Sequence, residues 1–216
     1  MYPSIKIYLG GNNLEKRKLI LSTGNKDKVK EIKDILKNLN IEILSKSDIG
    51  LGDFDIEEDG DTLEENSIKK AVELKKKTPF MVMADDSGLF VDALNGGPGV
   101  YSSRYGGEEG NYEKNNEKLL YNMKEVPLEE RGASFFTTIA LVTEKDEVIT
   151  VESQCKGHIT FEPRGKRLFG YDPLFVPEGY SKTFAELDEK EKNKISHRAL
   201  ALEKIRNTLI NLLKED

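Results

Sequence analysis

Two kinds of apolar pattern alternate along the first part of the chain, and they predict strands separated by helices. Residues 19–21 form an uninterrupted apolar run that fits a buried strand, and residues 41–44 fit a second strand. Between these runs, apolar residues recur at intervals of three and four, at Val29, Ile32, Ile35, Leu36 and Leu39. This spacing marks one face of a helix, which either Asn25 or Asp27 caps. The chain therefore opens as β–turn–α–β.

A second helix and a third strand follow the same logic. The helix is predicted to begin after Thr62, because Thr62 and Glu65 have the spacing of a capping box. Pro79 ends this helix, since the residue before a proline is biased away from the helical region. The apolar run 80–84 predicts the third strand. We expect this strand to stop at Asp85-Asp86-Ser87-Gly88, which has the composition of a turn.

The second half of the chain predicts one further helix, a hairpin and a long terminal helix. A stretch rich in glycine and proline covers residues 95–110, and residues 112–123 can form a helix. Residues 133–143 and 147–156 are two β-rich runs around a short charged turn, which suggests a hairpin. From Asp188 onward, apolar spacings of three and four predict one long helix.

The composition fits one domain, or one domain with two lobes. The chain has 216 residues, of which 37% are hydrophobic and 33% charged, and soluble domains usually span ~100–200 residues. Residues 1–18 hold a Gly-Gly-Asn-Asn break and a charged run, so we interpret them as an N-terminal extension and assign residues 19–216 to the domain. Strand–helix units combined with a hairpin predict an α/β fold with a mixed sheet.

Charge, cysteine content and hydropathy remove several classes of protein. Lysine plus arginine number 33 and aspartate plus glutamate 39, giving a net charge of −6 without a separate basic block, which argues against a nucleic-acid polymer as partner. Cys155 is the single cysteine, which excludes an intrachain disulfide and a multi-cysteine zinc site. No apolar run approaches the ~20 residues of a membrane span, and the N-terminus does not resemble a secretory signal. We expect a cytoplasmic protein.

The first candidate site is the turn between the first strand and the first helix. It consists of Ser22-Thr23-Gly24-Asn25-Lys26-Asp27-Lys28. Backbone N–H groups at a helix N-terminus carry partial positive charge and bind phosphate well, and the two lysines add full charges. The glycine spacing matches neither the dinucleotide fingerprint nor the Walker loop. Local pattern alone leaves an ordinary strand–helix turn equally open.

Two groups of acidic residues are candidates for metal binding and proton transfer. Asp85 and Asp86 stand where ligand sites of open α/β sheets collect. Neighbouring strand residues point to opposite faces, so one of the two is expected to enter a site, where it can hold Mg²⁺ or accept a proton from water. Taken alone, this motif favours a simple turn. The second group is the acidic cluster between Asp53 and Glu65, mostly a solvated loop, of which a magnesium site needs one or two carboxylates.

Two later segments carry groups suited to a base and to phosphate. In Phe169-Gly170-Tyr171-Asp172-Pro173, aromatic rings can form a stacking wall with a hydrogen-bonding edge, although a turn packed on the core is preferred for this piece alone. The segment Lys192-Asn193-Lys194-Ile195-Ser196-His197-Arg198 offers donors on one helix, or a solvated basic helix start. The coexistence of cations, carboxylates and aromatic rings indicates a site for a nucleoside polyphosphate.

The order and spacing of five motifs resemble those of the inosine/xanthosine triphosphate pyrophosphatases. The resemblance covers about residues 19–210, and its motifs are Thr23-Gly24-Asn25 with Lys28, Ala84-Asp85-Asp86-Ser87-Gly88-Leu89, Gly97-Pro98-Gly99-Val100-Tyr101-Ser102, Phe169-Gly170-Tyr171-Asp172-Pro173 and Ser196-His197-Arg198. The resemblance implies a mixed sheet with flanking helices, two lobes around a central cleft, and a homodimer. It also implies Mg²⁺-dependent hydrolysis of deaminated purine nucleoside triphosphates (dITP, ITP, XTP) to the monophosphate and pyrophosphate, which keeps them out of DNA and RNA.

The resemblance also implies roles for individual residues. Asp86 matches the family's water-activating base and metal ligand, and Glu58 matches its other acidic metal position, in a loop that aligns less closely than the rest. Residues matched to substrate contacts are Thr23, Gly24, Asn25, Lys26, Asp27, Lys28, Ser87, Phe169, Gly170, Tyr171, Asp172, Lys192, His197 and Arg198. A donor from His197 or Arg198 would favour the 6-keto group of hypoxanthine and xanthine over the amino group of adenine.

Two other functions compete with this one. The first is a pyrophosphatase with another base preference, like the similarly folded Maf proteins. The second is a nucleotide-binding regulator without catalysis, which the presence of Asp86 and Glu58 disfavours.

Overall fold

The computed structural model describes residues 16–166 and 168–214, and within them the chain forms one mixed sheet flanked by helices. Its strands are β1 Arg17–Leu21, β2 Ile41–Ser45, β3 Met81–Val91, β4 Pro98–Gly99, β5 Gly132–Val142, β6 Val148–Ile159 and β7 Phe175–Pro177. The order is β2-β1-β3-β5-β6-β7, with β4 paired to β3. Pairing is parallel among β2, β1 and β3, and antiparallel from β3 through β7. The predicted α/β fold with a mixed sheet is confirmed.

Five α-helices of the described residues flank this sheet. They are α1 Lys26–Leu36, α2 Leu63–Lys75, α3 Tyr112–Asn122, α4 Glu189–Ile195 and α5 His197–Leu212. Asn25 caps α1 by accepting hydrogen bonds from the backbone N–H groups of Asp27 and Lys28, so Asn25 and not Asp27 is the cap. The predicted capping box of Thr62 and Glu65 is present at α2. No helix among the described residues is long and apolar enough to cross a membrane.

Side chains on the two faces of the first strands belong to different cores. Leu19 and Leu21 pack with α1 and α5, whereas Ile20 between them packs with α2, as the two-residue period of a strand requires. A third core lies around Phe135, Phe175 and α3. The long strand β3 connects these cores, because residues 81–84 lie in the first two, whereas Leu89 and Val91 lie in the third. Residues 85–88 therefore lie between the first two cores and the third.

Two of the expected strand boundaries differ from the structure. β1 begins at Arg17, so the last two residues of the expected extension pair into the sheet beside Ile41 and Glu42; residues 1–15 lie outside the described residues. The third strand does not stop at residue 85 but continues to Val91, because β5 pairs with its whole length. The backbone there finds its hydrogen bonds in the sheet, so the expected turn at residues 85–88 is wrong.

The predicted long C-terminal helix is two helices. Ser196 has an extended backbone, ends α4, and caps α5 by accepting a hydrogen bond from the N–H of Ala199. The break means that Lys192 and His197 do not share one helix. Lys192, His197 and Arg198 are all buried, so the alternative of a solvated basic helix start is wrong as well. The predicted hairpin and the predicted helix over residues 112–123 are confirmed.

Candidate active site

A cavity of about 390 Å³ opens beside residues 86–89 of β3, and most of the predicted site residues line it. Those in its wall are Thr23, Gly24, Asn25, Lys28, Glu58, Asp86, Ser87, Phe169, Gly170, Tyr171, Asp172, His197 and Arg198. Lys26 and Asp27 are exposed and lie outside this wall. Lys192 also lies outside it and contacts Asp172 from behind. Segments separated by up to 175 positions in the sequence are thus brought to one cleft.

The turn between β1 and α1 places the backbone N–H groups at the start of α1 and the side chain of Lys28 at one end of the cleft. The Oδ1 atom of Asn25 accepts from the N–H groups of Asp27 at 3.0 Å and Lys28 at 3.2 Å, which satisfies two of the free donors of the first helical turn. Thr23 Oγ1 accepts from the N–H of Asn25 at 3.2 Å. The Nζ atom of Lys28 turns inward and lies 3.2 Å from a carboxylate oxygen of Asp85. A cation and a helix N-terminus are therefore fixed side by side.

Asp86 shares one buried lysine with Glu58. The Nζ atom of Lys70 donates to Asp86 Oδ1 at 2.9 Å and to Glu58 Oε1 at 2.8 Å. The second oxygen of Asp86, Oδ2, is buried and has no hydrogen-bond partner among the described residues. Two acids around one cation leave this cluster with a net charge of −1 when both carboxylates are ionised.

Burial and charge shift the pKa of Asp86 upward. Burial of the carboxylate is the main cause, Glu58 adds to it, and Lys70 opposes it. Burial alone would lower the pKa of Lys70, but Asp86 and Glu58 raise it above its ordinary value, so the lysine stays charged. A carboxylate with a raised pKa and an unpartnered oxygen is suited to accept a proton.

The same cluster fits a magnesium ion. Mg²⁺ prefers oxygen ligands and is usually bound through one or two carboxylates together with substrate phosphates and water. Glu58 and Asp86 supply two carboxylates at one place, and Asp86 Oδ2 is free for a ligand. The described residues contain no group of three or more histidine, cysteine or acidic side chains placed to hold a metal, so a cation here depends on phosphate or water for its remaining ligands.

On the opposite face of β3, Asp85 is surrounded by cations. Its Oδ2 atom accepts from Nε of Arg198 at 3.0 Å and lies 3.2 Å from Lys28 Nζ. Burial would raise the pKa of Asp85, but Lys28 and Arg198 lower it far below its ordinary value. As expected for neighbouring strand residues, one of the two aspartates lines the cleft and the other does not.

His197 is neutral and stacked inside the cleft wall. Its ring lies parallel to that of Phe135, with centroids 4.6 Å apart and an interplanar angle of 9°. Burial, followed by Arg198 and Lys192, lowers the pKa of His197 well below its ordinary value. Its Nδ1 atom is buried and has no partner among the described residues. A neutral imidazole with an unpartnered nitrogen can donate or accept one hydrogen bond, according to its tautomer.

The aromatic segment divides between the cleft and the core. Phe169 is half-buried, and its ring centroid lies 5.1 Å from Lys192 Nζ and 5.7 Å from the guanidinium carbon of Arg198. Tyr171 is buried and its hydroxyl donates to the carbonyl of Ser102 at 2.9 Å. The expectation of a turn packed on the core therefore applies to Tyr171, whereas the ring of Phe169 is available as a stacking wall.

Lys70 and Tyr112 are two of the residues of the cleft wall that were not predicted from the sequence. Lys70 occupies the face of α2 that otherwise buries Leu63, Ala71 and Leu74, and a lysine at a core-facing helix position is a signal for a buried ion pair. The rings of Tyr112 and Phe169 pack edge to face with their centroids 5.6 Å apart, and the hydroxyl of Tyr112 accepts a hydrogen bond from Asn25 Nδ2 at 3.0 Å. Nothing in the local sequence marks this tyrosine, because both of its partners lie more than 50 positions away.

The chain matches one family model and many known relatives. The model of the Ham1 family matches residues 19–208. A dITP/XTP pyrophosphatase of Clostridium perfringens is 53% identical over 204 residues, which cover 92% of this chain and all of that protein. A dITP/XTP pyrophosphatase of Bacillus subtilis is 46% identical over 193 residues, 89% of this chain and 97% of that protein.

Solved structures agree with these sequence matches. The Ham1 protein of Staphylococcus aureus superposes with a TM-score of 0.80 at 35% identity, covering 90% of this chain and 99% of that one. A Ham1 protein from Coxiella burnetii superposes with a TM-score of 0.81 at 39% identity and the same coverage.

Proposed function

The chain belongs to the Ham1 family, which confirms the resemblance drawn from the five motifs, and we propose that it hydrolyses dITP, ITP and XTP to the nucleoside monophosphate and pyrophosphate. This activity removes deaminated purine nucleotides before they enter DNA and RNA. The observation that carries the proposal is the buried oxygen of Asp86 that has no partner among the described residues, in a cleft that also holds the cationic α1 turn and the ring of Phe169. Asp85 has a similar buried oxygen, but Asp85 does not line the cleft.

Different residues of the cleft bind the phosphates, hold the metal ion and take the proton. Lys28 and the start of α1 bind phosphate oxygens. Glu58 and Asp86 would hold Mg²⁺, which when bound neutralises phosphate charge and makes a bound water more acidic. Asp86 takes the proton from the attacking water, whose oxygen bonds to the α-phosphorus while the bond to the bridging oxygen breaks. Pyrophosphate leaves, and the nucleoside monophosphate carries the new oxygen.

Selectivity for the base follows from the direction of the hydrogen bonds that the cleft wall offers. Hypoxanthine and xanthine present a 6-keto acceptor where adenine presents an amino donor. A buried hydrogen-bond donor that pairs with the keto oxygen has no acceptor when adenine is bound. A site built in this way can discriminate between the two kinds of base by several powers of ten. His197 carries an unpartnered ring nitrogen in the cleft wall, and we assign it this contact with Arg198 beside it.

A rate panel tests the proposal. Purified protein is incubated with ITP, dITP, XTP, ATP, GTP and UTP, with Mg²⁺ and with EDTA, and pyrophosphate release is measured. We expect release from the three deaminated purine nucleotides and its loss in EDTA. Turnover of UTP or ATP at comparable rates would favour the Maf-like alternative, and tight binding without turnover would favour the regulator.

The oligomeric state and the cellular location are two further proposals, of which only the first rests on the resemblance. We propose a homodimer, which light scattering at a series of concentrations tests by mass. We also propose that the protein works in the cytoplasm, where nucleoside triphosphates are used, and cell fractionation tests this placement.

A further inference from the structure

Behind the wall of the cleft lies a buried ionic network whose charges cancel. It combines three cations and three carboxylates, namely Lys28, Lys192, Arg198, Glu31, Asp85 and Asp172. Four of these residues are predicted substrate contacts, namely Lys28, Asp172, Lys192 and Arg198, and the other two each form an ion pair with one or more of them. Glu31 belongs to none of the motifs, and its place in α1 gave no sign of a role.

Glu31 contacts two cations at once. Its Oε2 atom accepts from Nη1 of Arg198 at 2.5 Å, and its Oε1 atom lies 3.2 Å from Nζ of Lys192. The side chain of Glu31 is 19% exposed, whereas those of Lys192 and Arg198 are 5% and 3% exposed. Burial would raise the pKa of Glu31, but Arg198 and Lys192 lower it below its ordinary value, so the carboxylate is ionised.

Of the described carboxylates, Glu31 alone joins the two cations to each other. Asp85 and Ser87 hold Nε and Nη2 of Arg198, and Asp172 holds Lys192. Without Glu31, Arg198 would be held from β3 only and Lys192 from the 169–172 segment only. The two helices α4 and α5, which separate at Ser196, would lose the acid that both contact.

Glu31 also connects these cations to the phosphate end of the cleft. It lies in the second turn of α1, the helix whose first turn contains Lys28 and whose cap is Asn25. A helix is stiff over two turns, so the position of the cap fixes the position of Glu31. The planar guanidinium of Arg198 has three of its donors committed to acceptors in different directions, and this fixes its orientation.

We infer that Glu31 is a positioning residue, which orients Arg198 directly and Asp172 through Lys192, and sets the distance of both from the phosphate-binding turn. The inference rests on the proposed function, because it assigns Arg198 and Asp172 to the same substrate. Glu31 does not touch the substrate itself, since it lines the neighbouring groove behind Asp172 and not the cleft.

Kinetics of three variants test this role. Glu31→Gln keeps the shape and removes the charge, Glu31→Asp keeps the charge and shortens the reach, and Asp34→Asn removes an exposed charge three residues further along the same helix. We expect Glu31→Gln to raise KM for ITP about tenfold, the usual effect of losing a charged hydrogen bond, with a smaller change in kcat. Inhibition by inorganic pyrophosphate should stay within twofold, because pyrophosphate reports the phosphate end alone. KM for ITP should rise less in Glu31→Asp than in Glu31→Gln, and Asp34→Asn should have the KM of the wild type.

A spectroscopic measurement keeps the inference testable apart from the activity. The guanidinium ¹⁵N–¹H signals of Arg198, identified by their absence in Arg198→Lys, should broaden or exchange faster in Glu31→Gln and not in Asp34→Asn. If these signals and KM for ITP are unchanged while the melting temperature falls, Glu31 only stabilises the fold and the inference is overturned. If the wild type releases no pyrophosphate from any nucleotide, the proposed function fails, and the Arg198 signals alone decide whether Glu31 positions this side chain.

Discussion

Asp85 and Asp86 are neighbours in β3, yet their side chains lie on opposite faces of that strand and in opposite electrostatic environments. Both are buried, with 2% and 5% of their surfaces exposed, so burial does not separate them. Asp85 faces two cations, Lys28 and Arg198, and its pKa is lowered. Asp86 shares the single cation Lys70 with Glu58, and its pKa is raised.

We propose that the number of cations per carboxylate decides which of the two acids takes the proton. On the Asp86 face, an excess of negative charge attracts a divalent cation, and one carboxylate oxygen is available to take a proton. On the Asp85 face, the carboxylate is paired with Lys28 and Arg198, so it stays ionised and fixes the two side chains that we propose to contact phosphate and the base. In the proposed mechanism, proton transfer and substrate recognition are therefore divided between the two faces of one strand, and each of the following experiments tests that division.

The largest expected effect is on turnover in Asp86→Asn. Asparagine cannot take the proton from water, and general base catalysis contributes about 10²–10⁴-fold, so we expect kcat to fall by about a thousandfold. The free energy of unfolding should stay level or rise, because the fold disfavours the charged form of Asp86. Pyrophosphate release and thermal melting measure the two quantities. A variant that keeps near-normal kcat would show that another group activates the water.

Asp85→Asn should give the reverse result. It leaves Arg198 and Lys28 without their shared buried carboxylate, and breaking a buried ion pair from one side costs about 3–5 kcal/mol. We expect a lower free energy of unfolding by ~3 kcal/mol in urea, with kcat reduced less than in Asp86→Asn. Equal losses of kcat in the two variants, with equal stability, would remove the distinction between the faces.

The sequence predicted one of these faces better than the other. The turn of residues 23–28 was predicted because cap, glycine and lysines are consecutive, and local chemistry is visible in a local pattern. The strand through Asp85 and Asp86 was predicted to end, because its pairing partners in β5 lie about 50 positions away. A local pattern of turn-forming residues does not show that a distant strand satisfies their backbone.

The ionic network around Glu31 could not be predicted from the sequence for the same reason. Glu31 and Arg198 are 167 positions apart, and on a helix wheel Glu31 counts as one polar position among several. Lys70 differs, because its position on the apolar face of α2 was a visible signal. The break at Ser196 was missed because apolar spacing continues past it, although serine is a frequent helix cap.

A smaller effect is expected from Glu58→Gln, which weakens the anionic face without removing the base. The variant loses one of the two carboxylates proposed to hold Mg²⁺, so we expect the Mg²⁺ concentration for half-maximal activity to rise about tenfold, equivalent to ~1.4 kcal/mol. Turnover at saturating Mg²⁺ should recover in part. The control is Glu57→Gln, an exposed neighbour outside the cleft wall, and an identical Mg²⁺ dependence in both variants would contradict the assignment of Glu58.

The smallest effect concerns His197, on the recognition face, and it is a dependence of stability on pH. The pKa of His197 is held well below its ordinary value in the folded protein, whereas in the unfolded chain it is about 6.5. Below that pH the unfolded state binds more protons than the folded state, so stability is complete above pH ~6.5 and falls as the pH drops. Between pH 7 and pH 5.5 this loss amounts to ~1 kcal/mol from one such group.

His197→Gln should remove this part of the pH dependence, which urea unfolding at pH 7 and pH 5.5 measures. The matched control is His158→Gln, at the only other histidine, whose pKa is lowered by burial and by Arg164 and Arg131 to a smaller degree. If His197→Gln loses as much stability between the two pH values as the wild type does, His197 is not held neutral. A protonated His197 would add a positive charge to the recognition face, and the contrast between the two faces of β3 would lose its physical basis.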